Sequence, residues 1–191
     1  NNWEATFFDF TESRIVGMAR EAKKPGAELF VLDDGWFGAR DSDRAGLGDY
    51  SVNRKKLPRG LSGLAKKIRA LGLDFGLWFE PEMVSEDSDL FRARPDWAVR
   101  VPGRESARGR NQLALDLTRS EVRDYIVGRV NATLASADIS YVKWDMNRHL
   151  TDAFSSSLPD QGMFFHAHTL GLYDVLSRVT AANPNVLLES C

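Results

Sequence analysis

Leu29-Phe30-Val31-Leu32-Asp33-Asp34-Gly35-Trp36 reads as four unbroken apolar residues, two acids, a turn glycine and an indole. A run this short is a strand rather than a helix, and its lack of polar alternation means that both faces are covered, as in a parallel sheet packed under helices. Working outward, five more runs share the form: Glu4 to Phe10, Asp74 to Glu80, Gln112 to Leu117, Tyr141 to Asp145 and Val186 to Ser190. They carry acids at or near their exits, at Asp9, Glu80, Asp116, Asp145 and Glu189. Between them apolar residues recur at helical spacing, at Ile15, Met18, Ala19 and Ala22, at Leu61, Leu64, Ala65 and Ile68, and at Leu172, Val175, Leu176 and Val179. Thr118 and Glu121 have the spacing of a capping box, which predicts a helix continuing through Val122, Ile126 and Val130.

Strands alternating with helices predict the α/β class and a parallel sheet. A carboxylate is costly on a buried strand, so acids at successive exits point to one cleft at the C-terminal rim of a barrel. The expected fold is a (β/α)8 TIM barrel, which takes about 250 residues. With 191 residues, the chain is expected to be an incomplete one: residues 1–191 form a partial catalytic barrel, about the first six strands, stopping before the last. The long stretches after the strands, Gly35 to Gly60, Pro81 to Asn111 and Met146 to about Phe164, contain Trp36, Phe37, Trp97 and Phe154. They are expected to wall a pocket.

Composition narrows the partners. Lys and Arg number 25 against 27 Asp and Glu, a net charge of −2 that gives no general attraction to nucleic acid or to an anionic membrane. No apolar stretch approaches the ~20 residues of a membrane span. Cys191 is the only cysteine, so no internal disulfide is possible, which fits a reducing, cytoplasmic setting. His166 and His168 have the spacing of a chelating pair but lack a third ligand, and neither a metal nor a cofactor is expected.

The densest chemistry lies in Tyr141-Val142-Lys143-Trp144-Asp145-Met146-Asn147-Arg148. Strand alternation turns Tyr141, Lys143 and Asp145 to one face, so a cation and an anion leave the strand together, and Lys143 is expected to keep Asp145 ionised. An ionised, positioned carboxylate can attack an anomeric carbon or stabilise an oxocarbenium ion. Asp33 and Asp34 can accept hydrogen bonds from neighbouring sugar hydroxyls where the strand ends, and indoles such as Trp36 can stack on a pyranose. Trp78 and Glu80 share a face at the next strand exit.

These segments resemble glycoside hydrolase family 36, the bacterial α-galactosidases. The likeness is carried, in order, by Asn1-Asn2-Trp3-Glu4-Ala5, Asp33-Asp34-Gly35-Trp36-Phe37-Gly38, Gly76-Leu77-Trp78-Phe79-Glu80-Pro81-Glu82-Met83-Val84, Gly109-Arg110-Asn111-Gln112, Lys143-Trp144-Asp145-Met146-Asn147-Arg148 and Leu188-Glu189-Ser190-Cys191. The resemblance implies that Asp145 is the nucleophile of a retaining double displacement on α-galactoside oligosaccharides. By the same resemblance Asp33 and Asp34 grip the 4- and 6-hydroxyls. Lys143, Arg110 and Asn147 contact other hydroxyls or orient the nucleophile, Trp3 and Trp78 line the sugar subsite, and Cys191 lies near the 2-hydroxyl. It further implies a general acid/base aspartate outside these residues, flanking β-domains and a homotetrameric parent. The 191 residues alone are expected to be nearly inactive.

Other readings fit the same acids. A metal-dependent lyase or isomerase would use them to bind Mg²⁺, with Lys143 as base. A sugar-binding scaffold would grip without turnover, and within the glycosidases galactosyl transfer and α-N-acetylgalactosaminidase activity stay open.

Overall fold

The computed structural model describes residues 1–191. Four strands form the main sheet: β1 (Leu29–Leu32), β2 (Asp74–Phe79), β5 (Tyr141–Trp144) and β6 (Leu187–Ser190), in the spatial order β1-β2-β5-β6 and all parallel. The helices α2 (Glu12–Lys23), α3 (Gly60–Ala70), α5 (Ser120–Ala135) and α6 (Phe164–Ala182) supply the covering layer and the crossovers, and the short α4 (Asp89–Ala93) lies between β2 and α5. The spacing explains them. In α2 the buried apolar residues are Ile15 and Ala19, and in α3 they are Leu61, Leu64, Ala65 and Ile68. Phe30, Leu32, Phe75, Leu77, Phe79 and Val142 meet them in one continuous core. The sheet is open, with β1 and β6 as its edges. No helix is long and apolar enough to cross a membrane.

Two of the six expected strands are absent from this sheet. Glu4 to Phe10 begins as the short helix α1 (Trp3–Thr6), because Asn2 supplies the bonds a strand partner would have supplied. Its carbonyl accepts from the Thr6 N–H at 3.1 Å and its Nδ2 donates to Thr6 Oγ1 at 2.8 Å. Trp3 then packs edge-on against Phe7 and Phe8, each at 5.2 Å, so the apolar alternation serves an aromatic cluster. Gln112 to Leu117 contributes only β4 (Leu113–Ala114), paired antiparallel with β3 (Met83–Val84) in a separate two-stranded sheet. The reason is where its amides go: Leu115 N donates to the Glu82 carbonyl and Asp116 N to the Trp97 carbonyl, both at 2.8 Å. The parallel sheet therefore runs directly from β2 to β5, with four strands in place of six.

The capping box also fails to form. Thr118 Oγ1 lies 2.6 Å from an Asp116 carboxylate oxygen and donates to it, and α5 starts at Ser120 behind Arg119, which makes no side-chain cap.

Candidate active site

Strand register decides which side chains meet. Trp78 is level with Lys143, and Lys143 with Glu189, while Leu32 pairs Leu77, so Asp33, Trp78 and Lys143 occupy one row at the C-terminal rim. One step further, Phe79 pairs Trp144 and Trp144 pairs Ser190, which brings Glu80, Asp145 and Cys191 out side by side. These groups open into a cavity of about 360 Å³ lined by Trp3, Phe8, Asp33, Asp34, Arg40, Asp43, Trp78, Glu80, Arg110, Gln112, Lys143, Asp145, Asn147 and Cys191. All nine residues that the family resemblance assigns to the site line this one cavity, and the strand-exit acid Glu80 with them, whereas Trp36, expected to stack on a pyranose, is wholly buried and donates from Nε1 to the Trp78 carbonyl at 2.9 Å.

Asp145 is buried, and three neutral donors hold its carboxylate. Oδ2 accepts from Trp78 Nε1 at 2.9 Å and from Asn147 Nδ2 at 2.8 Å, and Oδ1 accepts from the Met146 N–H at 3.1 Å. Lys143 is engaged elsewhere: its Nζ donates to Asp33 Oδ2 at 3.1 Å, so the lysine pairs across the sheet rather than along its own strand. Burial pulls the Lys143 pKa down, but the hydrogen bond and charge of Asp33, with the charge of Asp145, leave it raised. The amine stays cationic. Asp33 also accepts from the Asp34 N–H at 3.0 Å and presents its own N–H to Asn2 Oδ1 at 2.9 Å.

Asp34 is clasped by Arg40, whose Nε donates to Oδ1 at 3.0 Å and whose Nη2 donates to Oδ2 at 2.8 Å. Both side chains are almost wholly buried, and burial pushes the Asp34 pKa up against the opposing pull of the guanidinium. Arg110 is presented by a tight turn. Gly109 and Gln112 exchange backbone hydrogen bonds, and the two residues between them, Arg110 and Asn111, have φ of 52° and 60°, the positive-φ pair of a two-residue hairpin. Arg148 staples this turn to the loop after β5 by donating to the carbonyls of Ala107 at 2.7 Å and Gln112 at 2.9 Å.

The remaining acids at strand exits separate cleanly. Asp9 is fully exposed beside Arg14, Asp116 bonds Thr118, and Glu189 accepts from the Tyr141 hydroxyl at 2.5 Å, so none of the three lines the cavity. His166 is exposed, while His168 is buried against Phe164 with no partner for Nδ1. Phe8, Arg40, Asp43 and Gln112 belong to the cavity without having been picked from the sequence as site residues. Gln112 carried a signal, as the end of the Gly109-Arg110-Asn111 turn, whereas Arg40 had none beyond lying in a long loop.

Comparison with known proteins explains the arrangement. The melibiase family model matches residues 1–191. The chain belongs to the melibiase family. This melibiase chain is 58% identical over its whole length to alpha-galactosidase AgaA of Geobacillus stearothermophilus, of which it covers 26%. It is 49% identical to alpha-galactosidase Mel36A of Lactobacillus acidophilus, again along its whole length and 26% of that protein. The crystal structure of the GH36 alpha-galactosidase AgaA superimposes with a TM-score of 0.97 at 57% identity, covering all of the melibiase chain and 27% of AgaA. Variants of AgaA have been solved in complex with raffinose and with stachyose. The melibiase chain thus spans about a quarter of the length of the curated relatives it matches.

Proposed function

We propose that these residues are the sugar-gripping and nucleophile-bearing part of a retaining α-galactosidase, within a longer catalytic (β/α)8 barrel, acting on terminal α-linked galactose of oligosaccharides such as raffinose and stachyose. The observation that carries this reading is the Asp145 carboxylate, held by Trp78 and Asn147 in the same cavity as Asp33 and Asp34. Asp145 attacks the anomeric carbon from one side, and the galactosyl ester that forms is resolved by water, giving net retention. Neutral donors suit this task, because a cation bonded directly to the nucleophile would lower its basicity more than amide and indole N–H groups do.

Asp33 and Asp34 select the sugar. Each keeps an unfilled acceptor position after binding Lys143 or Arg40, and these positions accept from the 4- and 6-hydroxyls. Lys143 and Arg110 donate to hydroxyl oxygens, Trp3 and Trp78 flank the ring, and Cys191 faces the 2-hydroxyl. The general acid/base is an aspartate outside these residues, as the family resemblance implies. Galactosyl transfer is a second outcome of the same covalent intermediate, and a homo-oligomeric, cytoplasmic protein fits the family and the single thiol. A lyase or isomerase that used Lys143 as base is disfavoured, since such a base needs a lowered pKa and Asp33 raises this one.

The test is mechanism-based labelling of the full-length protein with a fluorinated galactosyl fluoride, followed by peptide mapping. The label is expected on Asp145, with loss of labelling in Asp145→Asn. A label recovered on another residue would overturn the assignment.

A further inference from the structure

Resting on the galactosidase reading above, we propose that Glu80, which makes no part of the expected nucleophile or sugar-gripping set, is a positioning residue that fixes Asn147 and through it the nucleophile Asp145. Glu80 leaves β2 at the rim, level with Asp145, and is 1% exposed. Its Oε1 accepts two short hydrogen bonds, from the Asn147 N–H at 2.6 Å and from Gln112 Nε2 at 2.7 Å. Asn147 thereby has its backbone N–H and both ends of its side-chain amide engaged. Its N–H is on Glu80, its Nδ2 donates to Asp145 Oδ2 at 2.8 Å, and its Oδ1 accepts from Arg110 Nη1 at 2.7 Å. The guanidinium can only donate, so Oδ1 must face Arg110 and Nδ2 is left facing the nucleophile.

A second carboxylate beside a nucleophilic one is electrostatically unfavourable, and burial together with the charge of Asp145 pushes the Glu80 pKa up. An amide at this place would avoid that repulsion but would lose the charge-assisted strength of both hydrogen bonds. The carboxylate is the acceptor that anchors the Asn147 backbone from one side and the Gln112 hairpin from the other. A Gln in its place leaves the cavity shape intact but weakens the anchor on the Asn147 backbone, so the sugar still binds while attack is misaligned.

The experiment compares Glu80→Gln with Glu82→Gln in the full-length protein on an aryl α-galactoside. Glu82 is an equally buried acid two residues on, its Oε1 accepts from Trp144 Nε1 at 2.9 Å, and it does not line the cavity. Glu80→Gln is expected to lower kcat by about 10- to 100-fold with KM within about twofold, as for loss of alignment alone. Glu82→Gln is expected to leave both constants near wild type. If Glu80→Gln does not fold, Gln112→Leu removes the other half of the clamp and is expected to lower kcat several-fold with KM held. Unchanged kcat in Glu80→Gln, a rise in KM matching the loss, or an equal loss in Glu82→Gln overturns the proposal. An active wild type that labels at Asp145 beside a normal Glu80→Gln sinks this inference alone. A wild type with no α-galactoside turnover sinks the reading beneath it as well.

Discussion

The indole of Trp78 donates through Nε1 to Asp145 Oδ2 at 2.9 Å, a buried hydrogen bond between neighbouring parallel strands. Trp78 is 2% exposed, and its ring lies parallel to Phe37 with centroids 6.2 Å apart, so it serves the Asp145 carboxylate as a donor at least as much as it walls the cavity. Trp78→Phe keeps an aromatic ring and deletes the donor. A hydrogen bond to a charged group contributes about 1.5–3 kcal/mol, which corresponds to a loss of roughly 10- to 100-fold in kcat/KM. Steady-state kinetics of the full-length protein check this. A Phe variant as fast as wild type would mean that Asp145 does not depend on the indole.

Arg40 and Asp34 form a buried pair whose side chains are 3% and 7% exposed. Removing one partner of such a pair strands the other charge, at a typical cost of about 3–5 kcal/mol. Arg40→Ala is therefore expected to destabilise the protein by that order in urea unfolding. Asp34→Asn added to Arg40→Ala is expected to recover part of the loss, because the stranded carboxylate is gone. A double-mutant cycle with coupling below about 0.5 kcal/mol would show that the two residues act independently.

Much of this site was legible in Tyr141 to Arg148, where period-two alternation alone put Lys143 and Asp145 on one face and the short apolar run ended at the acid. What alternation cannot supply is register. Lys143 is nearest to Asp145 in sequence, yet Asp33 stands in its row once β1 and β5 flank β2, and the ion pair forms there. The same lack of partner information made strands of Glu4 to Phe10 and Gln112 to Leu117. In the first, the carbonyl of Asn2 took the amides of Ala5 and Thr6 while its side chain bonded the Thr6 hydroxyl, and in the second the segments around Glu82 and Trp97 took the amides. Arg40 was invisible because its bond to Asp34 depends on how a long loop folds back.

His168 sets an acid limit. Burial in α6 lowers its pKa to about 4, against the opposing charge of Asp116. The unfolded chain binds a proton near the ordinary value of 6.5, so below that pH unfolding takes up a proton that the folded state refuses. Stability from this group is complete above about pH 6.5 and is lost as pH falls toward about 4, by a total of order 3 kcal/mol. Thermal melts of His168→Gln are expected to lose that part of the acid slope. An unchanged slope between these pH values would place the acid sensitivity elsewhere.

Two helical glycines predict opposite outcomes for the same substitution. Gly171 is buried in α6, and a Cβ there would lie 2.1 Å from the Leu117 carbonyl oxygen, so the helix approaches that backbone only because no side chain intervenes. Gly128 in α5 is exposed, and a Cβ there would meet nothing within 4 Å. Alanine is favoured over glycine in a helix interior by about 0.8–1 kcal/mol, and Gly128→Ala is expected to raise the melting temperature by a few degrees. At Gly171 overpacking costs typically about 1–3 kcal/mol, and against immovable backbone the upper end applies, so Gly171→Ala is expected to lower the melting temperature. Leu117 lies directly after Asp116, and displacement of that carbonyl would shift the segment that leads into α5. Equal, positive shifts for both variants would show that α6 can move away from Leu117 at little cost.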